Sequence, residues 1–311
     1  MRQILGMCLG KWGKLMSVLQ IKEIQTADYV TKSNLPFCDY VINPYTGCPH
    51  GCLYCYASFM KRFTGHTEEW GTFVDVKRCK KAISAKKLSG KTVFLSSVTD
   101  PYNPLEKKYE ITRMILEQLS HIDCTVSIST KSSLILRDMD LLKECKNVIV
   151  DLSLNTLDEN FRRDMDKASS VEERLRTLKE LHSNGIYTVL FMSPIFPELT
   201  DWKQIVETTR TFICEYWFEN LNLRGDYKAR ILSYIAEKYP QYRDLYARIF
   251  ERGDVSYWKE MELCFTAYCK NNGIPFVNAF NHSSLVQKKK ETGNVENITK
   301  RNAVKNQQEK P

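Results

Sequence analysis

The feature that most constrains this chain is an alternation of short apolar or β-branched runs with amphipathic helical stretches. The runs lie at Tyr40–Ile42, Thr92–Val98, Cys124–Thr130, Asn147–Leu154, Ile186–Met192, Trp217–Leu223 and Pro275–Ala279. Runs this continuously apolar, separated by helix-length segments, read as strands buried on both faces of a parallel sheet. Parallel neighbours must be joined by right-handed crossovers, so the repeated strand–helix unit predicts a parallel sheet curved or wound into a barrel-like form. In such folds chemistry gathers at the carboxyl ends of the strands.

The helical stretches carry their own boundaries. Ser170-Val171-Glu172-Glu173 has the spacing of a capping box, Leu175, Leu178 and Leu181 form one face behind it, and Gly185 closes the helix. Asp201 with Gln204 opens another helix that carries Ile205, Val206 and Phe212 inward. The segment Asp226–Arg252 breaks the alternation: it is long, helical and rich in tyrosine, and reads as a helical cover. A helix over Tyr257–Lys270 returns the chain to the last strand through a turn at Gly273 and Pro275.

Composition bounds the rest. A chain of 311 residues with 43% hydrophobic content can bury one sizeable core, which fits a single catalytic domain. The formal charge is +8, but residues 288 to 310 hold seven basic residues against three acidic ones, about half the excess, so the folded part is only mildly basic. That tail is polar and aperiodic and is predicted to be disordered. Gly6, Gly10, Lys11, Gly13 and Lys14 interrupt any membrane span or secretory core near the start, and Met16 is a candidate alternative first residue, which leaves residues 1–15 in question. Eleven cysteines, an odd number in a long chain, argue for reduced thiols and a cytoplasmic protein with no membrane association.

Three of those cysteines stand within eight residues. Cys48, Cys52 and Cys55 form C-x3-C-x2-C in the loop after the first of these runs, with Gly47 and Gly51 allowing tight turns. A short loop of this kind can wrap three thiolates round one corner of an iron–sulfur cube and leave one iron open. Zinc is an alternative, with His50 or Cys38 as fourth ligand, although no second short ligand pair lies downstream. A ferredoxin-type electron-transfer site is another, although its cysteine–proline partner is missing, and three buried thiols without a ligand are a third, disfavoured because buried cysteines scatter rather than cluster. The histidines at 50, 66, 121, 182 and 282 make no ligand spacing, and Cys79, Cys124, Cys145, Cys214, Cys264 and Cys269 are scattered.

The cysteine loop, with Tyr54 just before its third cysteine and alternating strand–helix units after it, resembles the radical S-adenosylmethionine (radical SAM) superfamily over roughly residues 38 to 280. The stretches Ser96–Glu106, Ser129–Leu142, Asp151–Thr156, Ser170–Ile186 and Phe191–Asp201 resemble, within it, the spore photoproduct lyase-like group of DNA repair photolyases and the subset called radical SAM mobile pair protein B. The resemblance implies a partial (β/α)6 TIM-like barrel: an N-terminal extension at 1–35, a catalytic core with helical C-terminal cover at 36–285, and the basic tail at 286–311. It implies a 4Fe–4S cluster on Cys48, Cys52 and Cys55, with S-adenosylmethionine on the fourth iron, cleaved to methionine and a 5′-deoxyadenosyl radical that takes hydrogen from a substrate. Carried over residue by residue, Tyr54 lies near the adenine, Thr99 near the methionine amine, Lys131 near the methionine carboxylate, and Ser153 near the ribose or carboxylate.

Taken alone, Lys131 is a solvated lysine or an ammonium at a strand end, Thr99 and Asp100 are turn residues, and Ser153 is a polar side chain wanting a partner. Arg174 reads equally as a site residue or a solvent-facing one, and Arg224 is a weaker strand-end candidate. The sequence departs from the family where Ser96-Ser97-Val98-Thr99-Asp100 replaces a Gly-Gly-Glu-like turn, and that stretch lacks the cysteine hydrogen donor of spore photoproduct lyase, which argues against thymine-dimer repair. The expected partners are a nucleic acid or protein substrate, an external electron donor and a paired radical SAM protein. The competing reading is a non-catalytic zinc or nucleic-acid binding protein.

Overall fold

The computed structural model describes residues 18–280. Its main sheet has eight strands in the order β11-β10-β9-β8-β7-β6-β3-β2. These are β2 (Val30–Lys32), β3 (Tyr40–Ile42), β6 (Thr92–Leu95), β7 (Thr125–Thr130), β8 (Asn147–Ser153), β9 (Tyr187–Ile195), β10 (Glu215–Asn220) and β11 (Phe276–Asn278). From β3 to β11 every pairing is parallel, and β2 adds antiparallel to β3 at one edge. The curved, open sheet is the partial TIM-like barrel expected from the sequence. A second sheet, in the order β1-β5-β4, joins β1 (Gln20–Gln25), β5 (Phe73–Arg78) and β4 (Tyr45–Thr46).

The two faces of the main sheet bury different sets because side chains alternate along a strand. On the convex side Val93, Leu95, Val126, Ile128, Val148 and Val150 pack against Ile111, Ile115, Leu116 and Leu119 of the helix Ile111–Ser120. Burying side chains of this size contributes on the order of 1.5–3 kcal/mol each, which makes this layer the principal source of stability. On the concave side Ile149, Val189, Phe191 and Trp217 meet Phe37, whose ring stands edge-on to Phe94 at 5.0 Å and to Trp217 at 5.6 Å. Phe37 comes from the link between β2 and β3, so that segment fills the barrel from within.

The helix predicted from the capping box runs Val171–Ser183, with Ser170 accepting from the Glu173 N–H and Glu173 reaching back to the Ser170 N–H. The Asp201-capped helix runs Trp202–Thr209, ending before Phe212, which is buried from the following turn. The tyrosine-rich cover is two helices, Gly225–Lys238 and Arg243–Phe250, because Pro240 cannot continue the first; Ile231, Ile235 and Tyr246 pack there against Phe161 and Phe196. The helix Ser256–Asn271 lies on the outside of β10, where Phe265 stacks on Phe218 at 4.3 Å.

Four strands escape the sequence reading. β1 is exposed at nearly every position, β2 and β4 are very short, and β5 reads Phe-Val-Asp-Val-Lys-Arg, whose charges mask a strand that is buried at Asp75. The run Thr92–Val98 leaves the sheet after Leu95, and Trp217–Leu223 is shifted to Glu215–Asn220 with a register irregularity between Phe218 and Asn220. The expected basic tail and the alternative start at Met16 lie outside the described residues. Among the described residues no helix is long and apolar enough to cross a membrane.

Candidate functional site

The cysteine loop leaves β3 at the carboxyl end of the sheet and is gripped from two sides. On one side β4 pairs antiparallel with β5, placing Tyr45 opposite Val76 and Thr46 opposite Asp75. This strand pair, which closes the base of the loop, approaches so closely that a Cβ on Gly47 would stand 2.3 Å from the Phe73 carbonyl oxygen, and one on Gly71 would stand 2.8 Å from Gly51 Cα. Both glycines also have positive φ, 83° at Gly47 and 95° at Gly71, so no other residue type fits without strain. On the other side the Leu53 N–H donates to the Met165 carbonyl and the Lys167 N–H to the His50 carbonyl, both at 2.9 Å. Within the loop, the Gly51 N–H bonds to the Cys48 carbonyl and the Cys55 N–H to the Cys52 carbonyl.

These turns bring the three thiols into one another's electrostatic field. Burial pushes the Cys48 thiol well above its ordinary range, with Asp100 and the Cys52 and Cys55 thiols adding to the shift. Burial and then Asp166 push Cys52 up, opposed by Lys131 and Arg174. Cys55 is also raised by burial, opposed by N–H donors and Lys131. Three soft donors raised in this way bind a metal group at the cost of their protons, and the bond to metal replaces the lost solvation of the thiolates. Three thiolates carried on one short loop are the donor set that an iron–sulfur cube takes, each at a separate corner.

One of the two candidate fourth ligands for zinc is engaged elsewhere. The Cys38 thiol donates to Ser33 Oγ at 3.2 Å. His50 Nδ1 stands 3.3 Å from Asp100 Oδ2, within ion-pair distance although without good hydrogen-bond alignment.

Of the residues singled out from the sequence, Lys131 lies with its ammonium 5.8 Å from the centre of the Tyr54 ring and close enough to Cys52 and Cys55 to lower both thiols. Thr99 donates its hydroxyl to the Gly47 carbonyl at 2.7 Å and so holds the cysteine loop. Tyr54 is buried, edge-on to Phe196, and donates its hydroxyl to Asp166 at 3.3 Å. Ser153 is buried at the end of β8, with its carbonyl accepting from Arg174. Arg224 caps the cover helix and donates to Asn222.

Three residues that the sequence left in the background prove central. Asp100 accepts from Thr130 Oγ1 at 2.7 Å, the Tyr102 N–H at 2.9 Å and the Lys131 N–H at 2.9 Å, tying the ends of β6 and β7 to the cysteine loop through His50. Arg174 is fully buried and donates to Asp166 at 2.6 Å, to the Ser169 carbonyl at 2.9 Å and to the Ser153 carbonyl. Its signal was its place on the buried helix face with Val171, Leu178 and Leu181. Asp151, two residues before Ser153 on β8, is buried and accepts from Ser127 Oγ on β7 at 3.3 Å, which makes this stretch of the sheet polar where its neighbours are apolar. Beside the loop, Tyr56, Phe59 and Phe63 are exposed in succession, next to Lys61 and Arg62.

Comparison with known proteins agrees with this architecture. A family model described as the Radical SAM superfamily matches residues 42–211. An uncharacterized protein of Methanocaldococcus jannaschii is 38% identical over 227 residues, covering 72% of this chain and 86% of its own length. The Radical SAM Nalpha-GlyT isomerase of Pseudomonas phage M6 is 27% identical over 164 residues, which are 52% of this chain and 34% of the isomerase. Among solved structures, spore photoproduct lyase complexed with dinucleoside spore photoproduct overlays with a TM-score of 0.50 at 15% identity, over 70% of this chain and 66% of the lyase chain. At that identity the likeness is one of fold.

Proposed function

This chain belongs to the radical SAM superfamily, and on that premise we propose that Cys48, Cys52 and Cys55 hold a 4Fe–4S cluster in an enzyme that acts on a macromolecular substrate. When bound and reduced, that cluster supplies the electron that cleaves S-adenosylmethionine to methionine and a 5′-deoxyadenosyl radical, which abstracts hydrogen from the substrate. The observation that carries the reading is the gathering of three free cysteines on one short loop after β3, with the Lys131 ammonium beside it, 5.8 Å from the Tyr54 ring.

The chain's own residues divide the work. Lys131 pairs with the methionine carboxylate, a role that suits an ammonium pinned through its own backbone N–H to Asp100. Ser153 offers its hydroxyl to the ribose or carboxylate from a strand end fixed by Arg174. Thr99 acts beside the methionine amine by shaping the loop it bonds to, and Tyr54 borders the adenine while its buried hydroxyl anchors it to Asp166. The exposed aromatic row Tyr56, Phe59 and Phe63 with Lys61 and Arg62 suits a nucleic acid or protein too large to enter the barrel. The scheme also requires an external electron donor, accommodates a paired radical SAM protein, and belongs in the reducing cytoplasm.

The test is to reconstitute the anaerobically purified chain with iron and sulfide, reduce it, add S-adenosylmethionine and quantify 5′-deoxyadenosine beside Cys52→Ala. Formation in the parent and its loss in the variant are expected. A colourless protein carrying stoichiometric zinc, or a reducible cluster that binds no S-adenosylmethionine, would overturn the reading.

A further inference from the structure

Outside the basic tail, the positive excess of the chain sits in one place. Residues 77–91, which lead from the end of β5 to β6, hold seven lysines and arginines and no acidic residue. The whole chain carries +8, of which residues 288–310 supply four and residues 77–91 supply seven, so everything else sums to three negative charges. Charge divided this unevenly makes a local field rather than a bulk property.

The fold gathers these cations with others from neighbouring elements. The Arg78 guanidinium lies 5.6 Å from the centre of the Tyr109 ring, and the Lys108 ammonium stands 5.0 Å from the same ring. Lys87 lies 5.1 Å from the Tyr40 ring, and the exposed Lys32 is opposite Tyr40 in the β2–β3 ladder. A cation resting on a ring is held in place without losing its charge. Lys80, Lys86 and Lys91 are exposed beside them. Two carboxylates enter the patch: Glu23 meets Arg78 at 2.9 Å, and Asp28 meets Lys81 at 2.7 Å and Lys87 at 3.8 Å. Pairs this exposed are weak in water, and two acids among so many cations leave the surface strongly positive. Lys91 directly precedes β6 and Tyr40 begins β3, so the patch reaches the amino ends of the strands, whereas the cysteine loop leaves their carboxyl ends.

The apolar side chains of the segment decide between partners. A protein interface is built round an apolar core from which lysine is depleted, and a membrane-surface segment sets large exposed apolar residues against its cations. Both large apolar residues of the segment, Ile83 and Leu88, are buried. Lysines and arginines presented without an apolar anchor match the regularly charged phosphate backbone of a nucleic acid. We infer that the surface formed by residues 77–91 with Lys32 and Lys108 binds that backbone without regard to sequence. It anchors the polymer on the flank of the barrel, away from the cysteine loop. The inference goes beyond the functional reading and requires no cluster.

The experiment titrates the full chain, before and after reconstitution, into a labelled DNA duplex of mixed sequence at a series of salt concentrations and follows fluorescence anisotropy. The logarithm of the affinity is expected to fall linearly with the logarithm of salt, and K80A/K86A/K91A should make that slope shallower by about one for each lysine removed. The same charge is removed elsewhere in K288A/K289A/K290A, which should lose less affinity than the patch variant. Hydrogen exchange of the parent with and without duplex adds a readout that needs no variant, with new protection expected at 77–91. A parent that does not bind, a tail variant that loses as much as the patch variant, or protection that avoids 77–91 each overturns the inference. Displacement of the duplex by polyglutamate at equal charge also overturns it, because the surface would then suit an acidic protein as well. Formation of 5′-deoxyadenosine is read separately, so its failure bears on the functional reading alone.

Discussion

Arg174 and Asp166 form an ion pair whose side chains are each only 1% exposed, with the arginine's other donors on the Ser169 and Ser153 carbonyls. A buried pair so well satisfied contributes little over an apolar pair, but removing the arginine leaves the buried Asp166 carboxylate the more distant Arg162, at 3.7 Å, as its cation. Arg174→Met is expected to cost about 3–5 kcal/mol, measured by denaturant unfolding, and a loss under about 1 kcal/mol would mean that Asp166 finds other partners. Asp100 offers a pH test. Burial alone would raise its carboxyl, yet the His50 imidazole and the bonds from the Lys131 N–H and the Thr130 hydroxyl outweigh it and hold the group below its ordinary 3.8. A carboxylate depressed in the folded state contributes stability that is fully present above the unfolded value and is lost as pH falls through the folded one. The cluster-free chain should therefore lose stability as pH drops below about 4, with a shallower acid limb in Asp100→Asn; identical acid limbs in the two proteins would remove Asp100 from that role.

At the scale of elements, the β4–β5 strand pair closes the base of the cysteine loop, and the glycines that flank it, Gly47 and Gly71, can be told apart from an ordinary turn glycine. Gly47 combines φ of 83° with a prospective Cβ contact of 2.3 Å to backbone, whereas Gly65 has φ of 68° and nothing within 4 Å. Gly65→Ala should cost only the left-handed conformation, about 1–2 kcal/mol. Gly47→Ala adds overpacking of about 1–3 kcal/mol and should also lower the iron bound per chain after reconstitution. Equal stability and equal iron content in the two variants would show that the β4–β5 pair does not shape the loop. The capping box is a milder matter: Ser170→Ala is expected to lower stability by about 1 kcal/mol, visible as a shifted thermal midpoint with the site chemistry intact.

For the whole molecule, the open sheet sets a gradient of local stability. β7 and β8 are buried at most positions and paired on both sides, while β1 and β11 are edge strands, exposed or half-buried along their length. Hydrogen exchange should be slowest through β6 to β9 and fastest in β1 and β11; uniform protection would indicate a sheet that opens only by global unfolding. Phe37 ties the first segment to this core from the concave side, so Phe37→Ala should destabilise by about 2–3 kcal/mol, less than a fully buried phenylalanine because the ring is only partly enclosed.

The parallel sheet, the position of seven of its strands, the capped helices and the clustering of Cys48, Cys52 and Cys55 were all determined by the sequence alone, because each rests on local periodicity, capping chemistry or spacing. Strand ends were less legible: Thr92–Val98 and Trp217–Leu223 were read as single runs, yet Ser96-Ser97-Val98 and Leu221-Asn222-Leu223, which mix polar with apolar residues, leave the sheet at its carboxyl end. β5 stayed hidden because Asp75 is buried beside His66, whose Nε2 lies 2.9 Å from its carboxylate, a pairing across nine residues that no periodicity announces. Asp100, Asp166 and Arg174 were decided only by tertiary structure. Each is polar or amphipathic in a way that suits a surface, a cap or a core equally well, and its role follows from partners brought near by strands and helices distant in the chain.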